Sequence, residues 1–220
     1  HTDFGSQTAT AGTIVRTFTI QNTGTSTLNI SSVNITGTAA ADYVVTSSPA
    51  ATVAAAGSTT FQVTFDPSTT GVRDATITIN NDDCDEAVYD FAITGMGTAP
   101  GINVQGNGSS IINGDITPSI IDLTDFSSQS VCSGTIIRTF TIQNTGSSIL
   151  NIASVNITGT GAADYAVTGL PVVAITVAGS TTFQVTFNPS VAGARDATIT
   201  IDNDTDGSPY EFAITGAGTD

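Results

Sequence analysis

Near the end of the chain, Asp202-Asn203-Asp204-Thr205-Asp206-Gly207 places carboxylates at alternate positions ahead of a glycine. That is the opening of an EF-hand loop, D-x-D-x-D-G, and calcium is served by such closely spaced oxygens, roughly six to eight of them. The match then stops, because Ala213 stands where the loop's bidentate glutamate would be. A second oxygen-rich group comprises Asn113, Asp115, Asp122 and Asp125. Calcium there would neutralise carboxylates that otherwise repel and would stiffen the segment that carries them. Each group also has a plainer reading. The first can be a solvated acidic hairpin loop, and the second a set of Asp and Asn turn formers.

Other reactive residue types are sparse. The one histidine, His1, is expected to be a variable surface residue, because the position it matches later in the chain is Leu123. Cys84 and Cys132 suggest a disulfide by parity, yet their loops are expected at opposite ends of their domains, too far apart for a bridge. Free thiols are the expectation. The glutamates are Glu86 and Glu211 alone. Catalysis needs a nucleophile with its base, paired acids in a cleft, or a metal with an open position, and the sequence assembles none of these. The expectation is therefore a non-enzyme that requires no cofactor, with Ca²⁺ as the one candidate ligand ion.

Composition narrows the partners. Nineteen acidic residues face four arginines and no lysine, for a formal net charge of -15. A polyanion cannot release counterions from nucleic acid and is repelled by anionic lipid, so neither nucleic acid nor direct membrane insertion is expected. No apolar run is long enough for a membrane helix or a signal peptide; any targeting element is expected outside this piece. The four arginines form two equivalent pairs, Arg16 with Arg73 and Arg138 with Arg195, and are expected to make structural ion pairs. Outward Thr-x-Thr spacing would suit an ice- or sugar-binding face, but sandwich sheets twist and the chain has no tryptophan for stacking on sugars.

The elements that carry these residues are written twice. Thr13-Ile14-Val15-Arg16-Thr17-Phe18-Thr19-Ile20-Gln21-Asn22-Thr23-Gly24 returns, nearly unchanged, from Thr135 to Gly146. A repeat of this length is a domain, giving 1–98 and 99–220. The first copy lacks an equivalent of residues 101–122, as expected of a fragment cut from a longer array. Within each copy the pattern has period two, as in Phe61-Gln62-Val63-Thr64-Phe65, which marks half-buried strands. Phe18, Ile20, Leu28, Ile30, Tyr89, Phe91 and Ile93 should face inward, with their counterparts in copy two. The best helical candidate is a single turn at Ala39-Ala40-Ala41-Asp42. About seven short strands per copy predict an all-β chain of two tandem immunoglobulin-like antiparallel β-sandwiches.

The ordered motifs Thr2-Asp3-Phe4-Gly5-Ser6, Phe18-Thr19-Ile20-Gln21-Asn22-Thr23-Gly24 with Leu28, Gly57-Ser58-Thr59-Thr60-Phe61, Phe65-Asp66-Pro67 and Asp90-Phe91-Ala92-Ile93-Thr94-Gly95 resemble the choice-of-anchor D type of bacterial Ig-like repeat. That group is similar to Hydin-like and major-sperm-protein-like sandwiches. The resemblance implies a bacterial extracellular or cell-surface protein, a structural spacer or adhesin repeat without catalytic activity. Its partners would be flanking copies of the same repeat, and other surface proteins or glycans. The alternative is a calcium-assisted module binding glycan or protein. Between the copies, Ile102 and Val104 alternate with polar residues as an opening strand. Ile111, Ile112, Ile120 and Ile121 are expected to pack against the sandwiches and restrain a junction at about 99–122.

Overall fold

The computed structural model describes residues 2–9 and 11–220, which places His1 and Thr10, the counterpart of Cys132, outside the described residues. The chain divides into two units, His1–Ala99 and Pro100–Asp220. The first contains β1 (Asp3–Thr8), β2 (Ile14–Gln21), β3 (Leu28–Thr36), β4 (Tyr43–Ser47), β5 (Thr52–Val53), β6 (Ser58–Phe65), β7 (Gly71–Asn81) and β8 (Val88–Thr98). One sheet has the order β1-β8-β7-β3-β5 and the other β2-β6-β4.

The second unit opens with β9 (Ile102–Gly106) and β10 (Ser109–Ile111). It continues with β11 (Asp125–Ser130), β12 (Ile136–Asn144), β13 (Leu150–Thr158), β14 (Tyr165–Gly169), β15 (Ala174–Ile175), β16 (Ser180–Phe187), β17 (Gly193–Ala194), β18 (Ala197–Asn203) and β19 (Tyr210–Thr219). Its sheets are β11-β19-β18-β13-β15, with β17 also on β19, and β10-β9-β12-β16-β14. Both units are therefore two-sheet β-sandwiches. No helix among the described residues is long and apolar enough to cross a membrane.

The period-two pattern becomes inner and outer faces. On β6, Phe61, Val63 and Phe65 are buried while Thr60, Gln62 and Thr64 lie on the other side, and β16 repeats the pattern. Two aromatic groups fill each interior. Tyr43 stacks on Phe65 at 4.8 Å with Phe4 edge-on to Tyr43 at 5.2 Å, and Phe18 stacks on Phe61 at 5.2 Å. The second unit matches with Tyr165, Phe187 and Phe126, and with Phe140 on Phe183. The packing explains the glycine of the Ile-Thr-Gly run within the last strand. A Cβ on Gly95 would sit 2.6 Å from the Phe65 ring, and one on Gly216 would sit 2.7 Å from Phe187.

Three expectations need adjusting. The equivalent strands β1 and β11 run parallel to the last strand of their units, β8 and β19, while the remaining ladders between strands are antiparallel. Alternation shows which face is buried and is silent on direction. Tyr89 is 48% exposed although Tyr210 is 6% exposed. Of the isoleucines after β9, Ile111 is buried, but Ile112, Ile120 and Ile121 are 66% to 76% exposed. The single helical turn does form, as a 3-10 turn at Ala40–Asp42 with its counterpart at Ala162–Asp164.

The Gln-Asn-Thr-Gly motif owes its recurrence to one buried amide. Asn144 Nδ2 donates to the Ser148 carbonyl at 2.7 Å and the Ile175 carbonyl at 2.9 Å, and its Oδ1 accepts from Gly146 N at 2.9 Å. This ties the β12–β13 turn to β15, as Asn22 ties its own turn to Val53. Truncating the amide removes both bonds, of which the one to the Ile175 carbonyl is buried; a buried group left unpaired costs about 1–3 kcal/mol. Asn144→Ala is expected to lower unfolding stability by about that much, measured by urea denaturation; an unchanged midpoint would contradict the assignment.

Candidate functional site

Each acidic hairpin is fastened by a clamp between an aspartate and an asparagine. Asp204 accepts the Asn151 backbone N–H at 2.9 Å on Oδ1 and the Asn151 amide at 2.6 Å on Oδ2. Asp82 binds Asn29 the same way, at 2.8 Å and 2.5 Å. The Asn29 backbone donor, then its side chain, holds the Asp82 carboxyl below the ordinary carboxylate value. Asp202 accepts from Ser154 Oγ and from Asn156 Nδ2, and Asp206 is exposed. Asp202, Asp204 and Asp206 thus have separate surroundings. Among the described residues, Asp83, Cys84 and Asp85 form the group whose ligand atoms all lie within 4.8 Å of one another, and all three are exposed. It lies in the equivalent hairpin of the first unit, where sequence spacing offered no EF-hand pattern.

Asn113, Asp115, Asp122 and Asp125 are likewise engaged one by one. Asp115 Oδ1 accepts from Thr117 N at 2.8 Å and Thr117 Oγ1 at 2.6 Å, and the Thr117 hydroxyl and N–H lower its pKa. Asp122 accepts from Thr124, and Asp125 from Ser127 N at 2.7 Å. These are local turns of the kind Asp residues make. Asn113 reaches further: its Nδ2 donates to the Gly207 carbonyl at 3.2 Å and its Oδ1 accepts from Glu211 N at 2.8 Å. Gly114 N donates to the Glu211 carbonyl at 2.7 Å, and Asp115 forms a parallel bridge with Phe212. The segment 113–115 therefore lies beside the start of β19, and Asn113 touches the loop that carries Asp202, Asp204 and Asp206.

The deepest charged groups are ion pairs. Asp42 Oδ2 meets Arg73 Nε at 2.5 Å, while Asp42 Oδ1 accepts from Ser68 N at 3.1 Å. Asp164 and Arg195 repeat the pair at 3.4 Å. Tyr43 Oη donates to the Arg73 carbonyl at 2.6 Å, and Tyr165 to that of Arg195 at 2.7 Å. Burial pushes the Asp42 pKa up, but hydrogen bonds from Ser68 and Arg73 outweigh it and the carboxyl ends below its ordinary value. Burial, with the charges of Asp74 and Asp42, pushes the Tyr43 phenol up to about 12. Arg16 instead donates to the Phe4 carbonyl at 3.3 Å. Both cysteines are free and exposed.

A groove of about 720 Å³ in the first unit is lined on its apolar side by Phe18, Ile20, Leu28, Phe61, Tyr89 and Phe91. Its counterpart in the second unit is filled. There β9 pairs with β12, Ile142 opposite Val104, and β10 folds back on β9. Val104 and Ile111 are buried, as are Phe140, Ile142, Leu150 and Phe212. Tyr210 Oη donates to the Ile111 carbonyl. Gly106 lets the chain recross, since a Cβ there would overlap the Asp122 carbonyl oxygen. Sequence reading did not foresee this groove.

The model of the HYDIN/CFA65/VesB-like, Ig-like domain matches residues 1–94 and 119–217. The chain belongs to that family. Each sandwich is one such Ig-like domain, and β9 and β10 lie outside both matched segments. No curated protein matches the chain. Solved structures similar to this Ig-like pair include a protein of unknown function from Porphyromonas gingivalis W83, at 12% identity and TM-score 0.40, covering 94% of this chain and 92% of that one. The C-terminal domain of the Streptococcus pyogenes antigen I/II-family protein AspA is similar at 10% identity and TM-score 0.38, covering 94% and 93%. The Vibrio cholerae VesB protease is similar at 14% identity and TM-score 0.31, covering 44% of this chain and 29% of that one.

The buried pair gives this Ig-like protein a defined pH dependence. Because the folded-state pKa of Asp42 is depressed, its contribution is present above the unfolded value, about 3.9, and is lost as pH falls through the lower folded value. Because that of Tyr43 is raised, its contribution is full below about pH 10 and is lost as pH rises toward about 12. Asp42→Asn should flatten the acid limb of unfolding free energy against pH by one proton's worth, and Tyr43→Phe should do the same to the alkaline limb. Arg73→Leu should cost about 3 kcal/mol at neutral pH, the low end for a broken buried pair, since part of the Arg73 side chain reaches solvent. Acid limbs of equal steepness in wild type and Asp42→Asn would refute the assignment.

Proposed function

We propose that this chain is a non-catalytic structural or adhesin-like repeat of a secreted or surface-attached protein, in which acidic Ig-like sandwiches joined in series meet other copies of their kind. One observation carries the reading: the polar and charged constellations that recur in both copies each hold their own sandwich together. The Asp42–Arg73 and Asp164–Arg195 pairs close strand ends, Asn22 and Asn144 tie turns, and Asp82 and Asp204 clamp hairpins. What evolution has copied is scaffold, and the reactive types differ between copies, with Cys84 and Cys132 at non-equivalent positions. A net charge of -15 also keeps such units apart from nucleic acid and anionic lipid.

A calcium-assisted module for glycan or protein is the second reading, favoured by the contact that sets Asn113 against the 202–207 hairpin. Against it stand the turns that already occupy Asp115, Asp122 and Asp125. A structural repeat predicts no saturable signal on a glycan array, with or without calcium. It also predicts a thermal midpoint that moves by less than about 1 °C between chelator and millimolar Ca²⁺, since a bound ion raises stability by mass action. A saturable rise in melting temperature, removed by Asp202→Asn or Asp115→Asn, would shift the assignment to the calcium-assisted module.

A further inference from the structure

We propose that an aliphatic patch on the second unit is a self-association surface, at which two copies of this chain meet face to face about a two-fold axis. Ile149, Leu170, Val172, Val173 and Val177 are 52% to 76% exposed. The β13–β15 ladder sets Leu150 opposite Ile175, and so brings Ile149 beside the turn that carries Val177. Ile152 N donates to the Val173 carbonyl at 2.8 Å, and Val172 N donates to Thr181 Oγ1 at 3.0 Å. The five therefore share the edge of the sandwich where the chain crosses from β14 to β15, each an outer strand of its sheet. The first unit shows that folding does not require these side chains. It carries Thr27, Ser48, Ala50, Ala51 and Ala55 at the equivalent positions. Yet Ile30 N still donates to the Ala51 carbonyl at 2.8 Å, and Ala50 N to Thr59 Oγ1 at 2.9 Å. The same backbone is built twice, and only the second time does it present aliphatic carbon to water. Single exposed aliphatics are ordinary on a surface, whereas several gathered on one edge mark a contact.

Area and charge select the occupant. At those exposures the five side chains leave on the order of 500 Å² of aliphatic surface in water. Doubled by a two-fold contact, such a patch reaches the roughly 1,000 Å² in total that a specific interface needs. A second copy supplies that area in a matching shape, because an isologous contact uses the same patch on both sides. The patch comes from residues 126–163 and 165–195, which contain no carboxylate in a chain of net charge -15. Two such chains repel one another generally, and this edge lets them approach on uncharged side chains. A sugar finds neither an aromatic ring nor a hydrogen-bonding group among the five, and a basic partner finds no carboxylate among them. Asp204 is held on Asn151, two residues from Ile149 on β13. Its charge at the rim opposes the contact, and salt relieves that opposition. The inference rests on the repeat reading for the kind of partner and deepens it by naming the surface.

The test is sedimentation equilibrium of the full chain at concentrations up to about 1 mM, in low and in high salt without calcium. A monomer–dimer equilibrium that closes at the dimer and tightens with salt is expected. Leu170→Ser combined with Val173→Ala, which copies the first unit's residues, should weaken the dimer at least about tenfold, since each change acts on both sides of the axis. Because the first unit folds with serine and alanine at these sites, the double variant should keep the wild-type melting temperature when dilute. Val72→Ala removes an exposed valine from the first unit and should leave association unchanged. A chain that stays monomeric throughout, a dimer indifferent to the double change, growth beyond the dimer, or a dimer loosened by salt would overturn the proposal. Adsorption to neutral phosphatidylcholine vesicles, removed by the double change and without self-association, would also overturn it and make the occupant a lipid surface. None of these results bears on the glycan array or the ion titration, so failure of this contact is separate from failure of the repeat reading.

Discussion

Each sandwich depends on closing an apolar interior between two sheets that are apolar on one face only. The stacked pairs Tyr43 on Phe65 and Tyr165 on Phe187 mark one end of that interior, where Gly95 and Gly216 let the last strand lie against the ring. Phe18 on Phe61 and Phe140 on Phe183 mark the other. The first end closes identically in both units, with Phe4 and Phe126 buried. The second closes fully only where β9 and β10 extend the sheet. Much else follows from this asymmetry, including the exposed Tyr89 and the groove beneath it.

Polar groups serve the same closure. A buried carboxylate is tolerable when paired and hydrogen-bonded, and Asp42 has both Arg73 and the Ser68 N–H. Tyr43 belongs to the stacked aromatic group through its ring and to the polar pair through its hydroxyl, which donates to the Arg73 carbonyl. One side chain thus links apolar packing to the ion pair, and Tyr165 does so in the second unit. The acidic hairpins stand outside this arrangement; their carboxylates fasten turns to β3 and β13 and leave the loops between them solvated.

Much of this was legible because alternation is a local signal. Phe61, Val63 and Phe65 announce a buried face in five residues, and the duplication repeats the message with the same spacing. The candidate calcium residues were harder. Spacing such as Asp202, Asp204 and Asp206 puts oxygens near one another along the chain, yet their directions depend on partners such as Asn151 and Ser154, which come from β13 about fifty residues away. The isoleucines after β9 show the same limit: composition marks Ile111 and Ile112 alike, but only Ile111 is buried.

By itself the sequence determined the class of fold, the two copies and the inward residues of most strands, because period-two burial and turn chemistry are read within short windows. Tertiary structure decided the rest. It set the parallel pairing of β1 with β8 and of β11 with β19, the union of Asp42 with Arg73 across 31 positions, and the meeting of Asn113 with the 202–207 hairpin. It also placed residues 102–111 as a wall of the second sandwich. These are matters of which distant surfaces meet, and a one-dimensional pattern carries no term for that.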